Sequence, residues 1–187
     1  MSSITAMPAS DRDALIEENL EALAQLRDLV AELSPEHYRQ PFSAQGRHSL
    51  GKHVRHIIDH YDALLAGKAA GDVSELDYEH RQRDAALEQW PQLAGRRLGE
   101  IAERLHAADG LSPGREVRLV YPTGGETLSL TASVGRELAF LTSHTVHHMA
   151  IIGLLAEQLG IALPEHFGVH PSTRRHWQRN AVDQKGA

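Results

Sequence analysis

Residues 143–152 read SHTVHHMAII, a stretch that sets His144 and His148 four positions apart in a strongly helical context. Side chains four residues apart lie one above the other on the same face of an α-helix, so both imidazoles can reach a single metal ion. His147 points to a different side of the helical wheel. The segment therefore predicts a helix that supplies two ligands of a transition-metal site.

A second cluster of histidines lies far upstream of the first. Residues 51–60 read GKHVRHIIDH, and the spacing of His53, His56 and His60 again places them on one side of an amphipathic helix. Histidines on two helices that are distant in sequence are typical of bundles with a metal site in the core. The sequence therefore predicts an all-α fold, a helical bundle.

The residues alone leave the upstream ligand open. Wheel angles place His53 and His60 beside the apolar stripe and His56 further round, which slightly favours His60 or His53. His56 and His60 also form a second pair four residues apart, which would give a site with four histidines. Four protein ligands would close the coordination shell, whereas three would leave a position open for water or substrate.

A metal ion accounts for these clusters better than hydrogen bonds among core histidines do. Burying several imidazoles together is costly unless their nitrogens find partners, and a metal ion provides one directly. Imidazole nitrogens suit Zn, Fe and Ni, whereas Mg and Ca prefer oxygen ligands. We therefore expect a divalent transition metal as cofactor.

Glu137 and His60 are the candidate catalytic residues. Glu137 lies two turns before His144 on the same arc of the last helix, where it could be a fourth ligand, orient a ligand or act as a general base. The alternative is a carboxylate at the rim that pairs with an arginine. Either Glu137 or His60 would then handle protons during the reaction.

Composition excludes several classes of protein. The 187 residues contain no cysteine, which excludes disulfides, iron–sulfur clusters and a cysteine nucleophile, so any nucleophilic thiol must come from a substrate. A net charge of −6 argues against nucleic acid as a partner. The longest apolar run, Met149–Ala156, is too short for a membrane span, and Met1–Thr5 does not resemble a signal peptide. We expect a cytoplasmic protein.

Periodicity and turn residues predict four long helices and one β-hairpin. Ser10 or Asp11 is the expected cap of the first helix and Ser49 that of the second, and an irregular tail is expected from Pro171. The hairpin turns at residues 122–125, where Pro and Gly interrupt two alternating segments. The expected helices cover about 10–33, 49–69, 81–108 with a bend or restart at Pro91, and 133–159, and the expected strands cover 116–121 and 126–131.

The pair His56-Ile57 and the motif His144-x-x-x-His148 resemble the DinB-like (DinB/YfiT-type) four-helix bundles. The resemblance covers most of residues 10–163. It implies a single domain over residues 1–187, with a bundle core of about 10–163 and a tail of about 164–187. It also identifies His56, His144 and His148 as the metal ligands, with Zn, Ni or Fe bound at one open end of the bundle. His53 and His60 then become residues that line the pocket or support a ligand.

The same resemblance suggests a reaction class. Characterised members of the family activate a low-molecular-weight thiol at the metal, so a thiol transferase-like enzyme is expected, with a small thiol as cofactor or substrate. Arg55, Arg81, Arg83 and Arg136 could bind the carboxylates of such a thiol, or could form ordinary surface salt bridges. The alternatives are a metal-dependent hydrolase and a non-catalytic metal-binding or stress-response bundle, which allows a homodimer.

Overall fold

The structure, a computed structural model, describes residues 9–66, 68–70, 73–80, 83–107 and 111–185. Four long helices form its body, and each packs against two of the others in the cyclic order α1, α4, α3, α5. The predicted four-helix bundle is thereby confirmed. The helices are α1 (Ala9–Glu32), α2 (Pro35–Arg39), α3 (Leu50–Ala66), α4 (Pro91–Ala107), α5 (Val134–Gln158) and α6 (Pro171–Lys185).

Side-chain caps fix where three of these helices begin. The Ser49 hydroxyl accepts a hydrogen bond from the Lys52 amide (3.1 Å) at the start of α3, as predicted. The Ser133 hydroxyl accepts one from the Arg136 amide (3.2 Å) at the start of α5, and Ser34 caps α2 in the same way. The predicted cap of α1 was wrong, because α1 begins at Ala9 and both Ser10 and Asp11 lie within its first turn.

The apolar stripes of the four long helices meet in one core. Its side chains are almost completely buried, and each contributes roughly 1.5–3 kcal/mol relative to an exposed position. This core holds α3 and α5, the two histidine-bearing helices, against each other. Its central members are Leu23, Leu26, Val30, Val54, Ile57, Ile58, Leu98, Ile101, Leu105, Leu138, Leu141 and Ile152.

A network of buried polar side chains crosses the core between α1, α3 and α5. The amide nitrogen of the fully buried Asn19 donates to the carbonyls of Leu15 (2.7 Å) and Leu138 (3.1 Å). The Tyr61 hydroxyl donates to the Asn19 side-chain oxygen (2.7 Å) and accepts from the Thr145 hydroxyl (3.2 Å). Leaving such a group without a partner would cost about 1–3 kcal/mol, so the network is a specific feature of this packing.

The β-structure is larger than the predicted hairpin. The strands β1 (Lys68–Ala70), β2 (Val73–Asp77), β3 (Glu116–Pro122) and β4 (Thr127–Ser133) form a sheet in the order β1-β2-β3-β4. The antiparallel β3–β4 pair confirms the hairpin. β2 pairs in parallel with β3, and α4 provides the crossover between them. The first two strands were not anticipated.

Two predicted helix bounds were wrong. The second helix, α3, ends at Ala66 rather than near Ala69, because β1 begins at Lys68. The third does not run back as a regular helix to about residue 81: residues 85–88 form a short 3-10 helix, and α4 begins at Pro91, which confirms the predicted restart there. Proline fits the first turn of a helix but disfavours helical geometry in the residue before it. The expected helix break at residues 71–72 lies outside the described residues.

The expected irregular tail was also wrong, because residues 171–185 form α6. Pro171 occupies the first position of this helix, where its missing N–H costs nothing. Arg174 pairs with Glu21 and Arg175 with Glu18, so that α6 is tied to α1. Such partly exposed ion pairs are worth roughly 0–1 kcal/mol each. The C-terminal helix is therefore docked by charge rather than by an apolar stripe.

Among the described residues, α5 alone is long and apolar enough to cross a membrane. Its most apolar 18 residues have a mean hydropathy of 1.4, and 39% of that window is buried inside the protein. Such a finding is weak evidence, because a helix in the core of a bundle has the same length and composition. In this structure α5 packs against both α1 and α3.

Candidate metal centre

The packing of α3 on α5 brings His56 next to His144, with their ring planes tilted by 46°. Their Nε2 atoms lie 3.2 Å apart, although the residues are 88 positions apart in the chain. Two imidazole nitrogens bound to one ion at about 2.0–2.1 Å and a tetrahedral angle lie roughly 3.3 Å apart. The two nitrogens are therefore spaced as two ligands of one ion would be.

His60 and His148 complete a cluster of four imidazoles. The ring centroid of His144 lies 4.0 Å from that of His60 and 4.6 Å from that of His148. The His56 ring is 4.4 Å from His60 and 4.5 Å from His148. Nitrogens of His56, His60 and His144 all lie within 4.8 Å of one another. The structure thus brings the rings of the three predicted ligands together, but by the distances between nitrogens it groups His60, rather than His148, with His56 and His144.

Contacts at Nδ1 determine which nitrogen carries the lone pair in His60 and which nitrogen remains for other contacts in His148. Nδ1 of His60 donates to the His56 carbonyl (2.8 Å), so the lone pair of neutral His60 is on Nε2. Nδ1 of His148 lies 3.0 Å from Nδ1 of His53, which leaves Nε2 of His148 for other contacts. Nε2 of His53 in turn lies 3.2 Å from Nδ1 of His48. His53 therefore supports His148 from behind.

Glu137 is completely buried at the first turn of α5, beside the histidine cluster. Its Oε2 accepts a hydrogen bond from the Tyr78 hydroxyl (2.9 Å), and its Oε1 pairs with the Arg136 guanidinium (2.9 Å). The helix N-terminus also favours a negative charge at this position. The Tyr78 ring stacks on His60 at 5.1 Å. Glu137 therefore contacts the cluster through Tyr78, and both of its oxygens are engaged.

The sequence profile of the DinB family matches residues 7–170, which is most of the chain. This protein belongs to the DinB family. The match includes all four long helices of the bundle and the four clustered histidines.

Individual proteins with similarity to this DinB-family chain include one of solved structure and one related in sequence. One is YfiT from Bacillus subtilis, which is described as a probable metal-dependent hydrolase with an unusual four-helix bundle topology. The two structures superpose with a TM-score of 0.58 and 16% sequence identity, and the match covers 87% of this chain and 95% of YfiT. This likeness shows the fold. "FK506-binding protein 5" of Rhizopus delemar is 29% identical over 107 residues, which are 56% of this chain and only 28% of that protein.

The donor set of the DinB-family site suits a divalent transition metal. Among the described residues, the group that could hold an ion consists of imidazoles only, and Glu137 is bonded elsewhere. Neutral nitrogen ligands favour borderline ions such as Zn, Fe or Ni over Mg or Ca. His56, His144 and either His148 or His60 would hold the ion, and which metal it is stays a prediction.

Burial keeps two of the histidines neutral. Burial, followed in size by positive charge on neighbouring histidines, His48 and His144 respectively, lowers the pKa of His53 to about 4 and that of His148 to about 3. A metal ligand must carry no proton on its coordinating nitrogen. His148 is therefore ready to bind a metal ion at neutral pH.

The same pKa values predict how the stability of the metal-free protein depends on pH. An unfolded histidine titrates near 6.5, so the unfolded chain takes up protons first as the pH falls, and folding protects His53 and His148 until about 4 and 3. The free energy of unfolding should be highest above pH 6.5 and fall as the pH is lowered, with a slope that rises to at most about 1.4 kcal/mol per pH unit for each protected histidine. Urea unfolding between pH 6.5 and 5 measures this slope, because most carboxylates stay ionised there.

A variant separates this effect from general acid sensitivity. His53→Leu should flatten the slope, whereas His106→Leu, at an exposed position on α4, should leave it unchanged. An identical slope in the wild type and in His53→Leu would show that the titration of His53 does not affect folding.

The four arginines predicted to bind a thiol cofactor differ in their surroundings. Arg55 is largely buried and pairs with Asp59 and with Glu88 (2.5 Å). Arg83 is exposed, and Arg81 lies outside the described residues. Arg136 is 61% exposed, with one side on Glu137 and its Cζ 5.5 Å from the Phe140 ring. Of the three described arginines, Arg136 is therefore the one that contacts residues beside the histidine cluster, and cofactor binding by any of the four stays a prediction.

A cavity of about 850 Å³ lies on the other side of α3, between that helix, α4 and β2. None of the four clustered histidines is among its described lining residues. Its charged walls are largely paired, for example Asp62 with Arg97 (2.7 Å) and Asp59 with Arg55. The cavity is therefore separate from the histidine centre.

Sequence reasoning assigned no role to Tyr78 or Phe140, which line the centre. The Phe140 ring lies 5.5 Å from both His144 and Tyr78. Its position four residues before His144 on α5 was a usable signal, because such residues share a helix face. Tyr78 follows a strand that was not predicted, so its position could not be inferred from the sequence.

Proposed function

We propose that this protein is a metal-dependent enzyme that activates a small external nucleophile, a thiol or water, at the histidine centre. The observation that carries the proposal is the 3.2 Å separation of Nε2 of His56 and Nε2 of His144, with His60 and His148 directly beside them. Burying four imidazoles together is energetically costly unless a ligand binds their nitrogens.

Different residues around the centre would bind the metal ion and transfer protons. A divalent ion held there would lower the pKa of a bound water or thiol towards neutrality. If His148 completes the ligand set, Nε2 of His60 faces the cluster as a proton acceptor within reach of the nucleophile. Tyr78 and Glu137 keep the His60 ring in place from the opposite side.

An imported thiol is supported by two features of the chain. There is no cysteine in the sequence, so the protein itself cannot supply a sulfur nucleophile. The exposed part of Arg136 lies over Phe140, whose ring contacts His144, so the guanidinium is placed to bind a carboxylate of a molecule at the centre. The proposed activity is accordingly that of a thiol transferase.

Two other functions have support from specific observations. The likeness in fold to YfiT, described as a probable metal-dependent hydrolase, favours water as the nucleophile. The closeness of His60 to His56 and His144 favours a non-catalytic centre, because four histidines could close the coordination shell. The thiol transferase, the hydrolase and the non-catalytic centre differ in what occupies the fourth ligand position: a thiol, water or a fourth histidine.

Cobalt substitution tests that position. Low-molecular-weight thiols added to the Co(II) protein should produce a sulfur-to-metal charge-transfer band, and His56→Ala should abolish it. Arg136→Ala should weaken thiol binding about tenfold while metal content is kept, because one charge-assisted hydrogen bond is lost. Optical titration and metal analysis measure both quantities.

The matched control is Arg118→Ala, at an exposed arginine on β3, which should leave thiol binding unchanged. Exchange of a water ligand without any sulfur band would favour the hydrolase. A shell that admits neither thiol nor water would overturn the enzyme proposal and favour the non-catalytic centre.

A further inference from the structure

The strand β4 leaves one edge of the sheet without a partner among the described strands. Thr123 N–H donates to the Glu126 carbonyl and Val134 N–H donates to the Arg115 carbonyl, at the two ends of the β3–β4 pair. Hydrogen bonding in an antiparallel pair alternates along each strand, so the even-numbered residues of β4 bond to β3. Its odd-numbered residues therefore direct their N–H and C=O groups away from the sheet.

This edge lacks the usual protection against pairing with another strand. Residues 127–133 read TLSLTAS, with no charge and no proline, and β4 pairs with β3 over its whole length without a bulge. The first five of these residues are exposed. Natural sheet edges normally carry a charge, a proline or a bulge to prevent association. An open, uncharged edge of seven residues indicates a surface that binds a strand.

We propose that β4 pairs with β4 of a second copy of this chain, in antiparallel orientation about a two-fold axis at Leu130. This register overlaps all seven residues of the strand. It sets Leu130 opposite Leu130 of the second copy and Leu128 opposite Ala132 of the second copy. The two four-stranded sheets then become one sheet of eight strands.

The hydrogen-bonding pattern of β4 matches this register. With the axis at Leu130, Ser129 lies opposite Thr131 of the second copy and Thr127 lies opposite Ser133. All four are odd-numbered residues on the outward side of the strand, so Ser129 and Thr131 of the second copy can exchange two backbone hydrogen bonds. Thr127 and Ser133 can share one, because the Ser133 carbonyl, at the N-cap of α5, accepts the first hydrogen bond of that helix. A register shifted by one residue would pair outward-facing groups with inward-facing ones.

The side chains of β4 fit the same arrangement. One face carries only hydroxyl side chains, so Ser and Thr meet Thr and Ser across the interface, and the other face carries Leu and Ala. No charged residue of β4 meets a like charge, because the strand has none. A second copy presents the same two uncharged faces, Ser and Thr on one side and Leu and Ala on the other, which makes it the preferred occupant.

Exposed apolar side chains on the hairpin support a partner at this edge. Tyr121, Leu128 and Leu130 are 50%, 40% and 44% exposed, and they are three of the six large hydrophobic residues that are exposed in the described part of the chain. All three lie on the same face of the hairpin as Val117, which is buried against the bundle. Pairing places the exposed tip of one hairpin beside the half-buried base of the other, which covers part of this face.

The mass of the full-length protein in solution tests the proposal. Analytical ultracentrifugation at roughly 100 µM, where even weak self-association is populated, should show a dimer. Ser129→Pro removes an outward N–H without disturbing the bonds to β3, and should weaken the dimer about 10- to 30-fold. Leu154→Lys, at an exposed leucine on α5, is the matched control and should leave the dimer unchanged.

A charge swap at Leu130 tests the two-fold axis itself. Leu130→Lys and Leu130→Glu should each be monomeric, because two like charges would face each other, and a mixture of the two variants should form a dimer. Retained metal content and helical circular dichroism show that both variants are folded. A monomeric wild type, or a mixture of the variants that associates no better than either one alone, would overturn the proposal.

Discussion

Alanine at His56 or His144 is expected to remove the bound metal. Both residues belong to either possible set of three ligands, and their nitrogens lie 3.2 Å apart. Loss of a residue that only supports a ligand typically costs 10- to 100-fold in affinity, so loss of a ligand should cost more than about 100-fold. Elemental analysis of untagged protein should show a fall from about one ion per chain to almost none.

His148→Ala and His60→Ala decide which residue is the third ligand. We expect His148→Ala to strip the metal and His60→Ala to retain it, as the family resemblance implies. The reverse outcome would give the ligand role to His60. His147→Ala is the matched control, because His147 is the exposed neighbour of His148 on α5. If both His144→Ala and His148→Ala retained about one metal ion per chain, the assignment of the metal centre would be wrong.

Gly51→Ala is expected to cause the largest loss of stability among alanine substitutions at the described glycines. A Cβ atom at Gly51 would lie 2.3 Å from the Glu88 carbonyl oxygen and 2.9 Å from Cε1 of Tyr38, a side chain buried beneath α3. Both neighbours are fixed, since the carbonyl is backbone and Tyr38 donates a hydrogen bond to the Leu87 carbonyl (2.8 Å). The free energy of unfolding should fall by about 3 kcal/mol or more.

Gly99→Ala provides the opposite result with the same chemical change. Gly99 lies within α4, and no heavy atom outside its own helix and immediate neighbours would come within 4 Å of an added Cβ. Alanine should therefore stabilise the protein by about 0.5–1 kcal/mol. Urea unfolding of the two variants side by side measures the difference. Similar stability of Gly51→Ala and the wild type would show that the start of α3 can move away from Glu88.

Local sequence signals were sufficient for the long helices and the hairpin. Ser49 and Ser133 precede apolar stripes that repeat every three or four residues, and both serve as caps in the structure. Pro122–Gly125 separates two alternating segments that pair as β3 and β4. In each case the deciding interaction lies within a few residues of the signal, so the sequence contains it.

Features that depend on distant contacts were missed. β2 alternates in burial, but the side chains it turns inward are Ser74 and Leu76, and a serine gives no apolar signal. α6 has no apolar stripe and is held by ion pairs to α1, about 150 residues earlier in the chain. The helical wheel likewise could not place His56, because its neighbour His144 belongs to another helix.

The buried network around Asn19 has a consequence for the precision of the metal centre. Tyr61 lies one residue after His60 and Thr145 one residue after His144, and the bond between their hydroxyls fixes the axial offset of α3 against α5. Apolar contacts alone would allow one helix to slide along the other. A slip of one residue would shift a helix by about 1.5 Å, far beyond the ~0.2 Å tolerance of metal–ligand distances. The hydrogen bond between the two hydroxyls therefore fixes the spacing between the histidines of α3 and those of α5 before a metal ion binds.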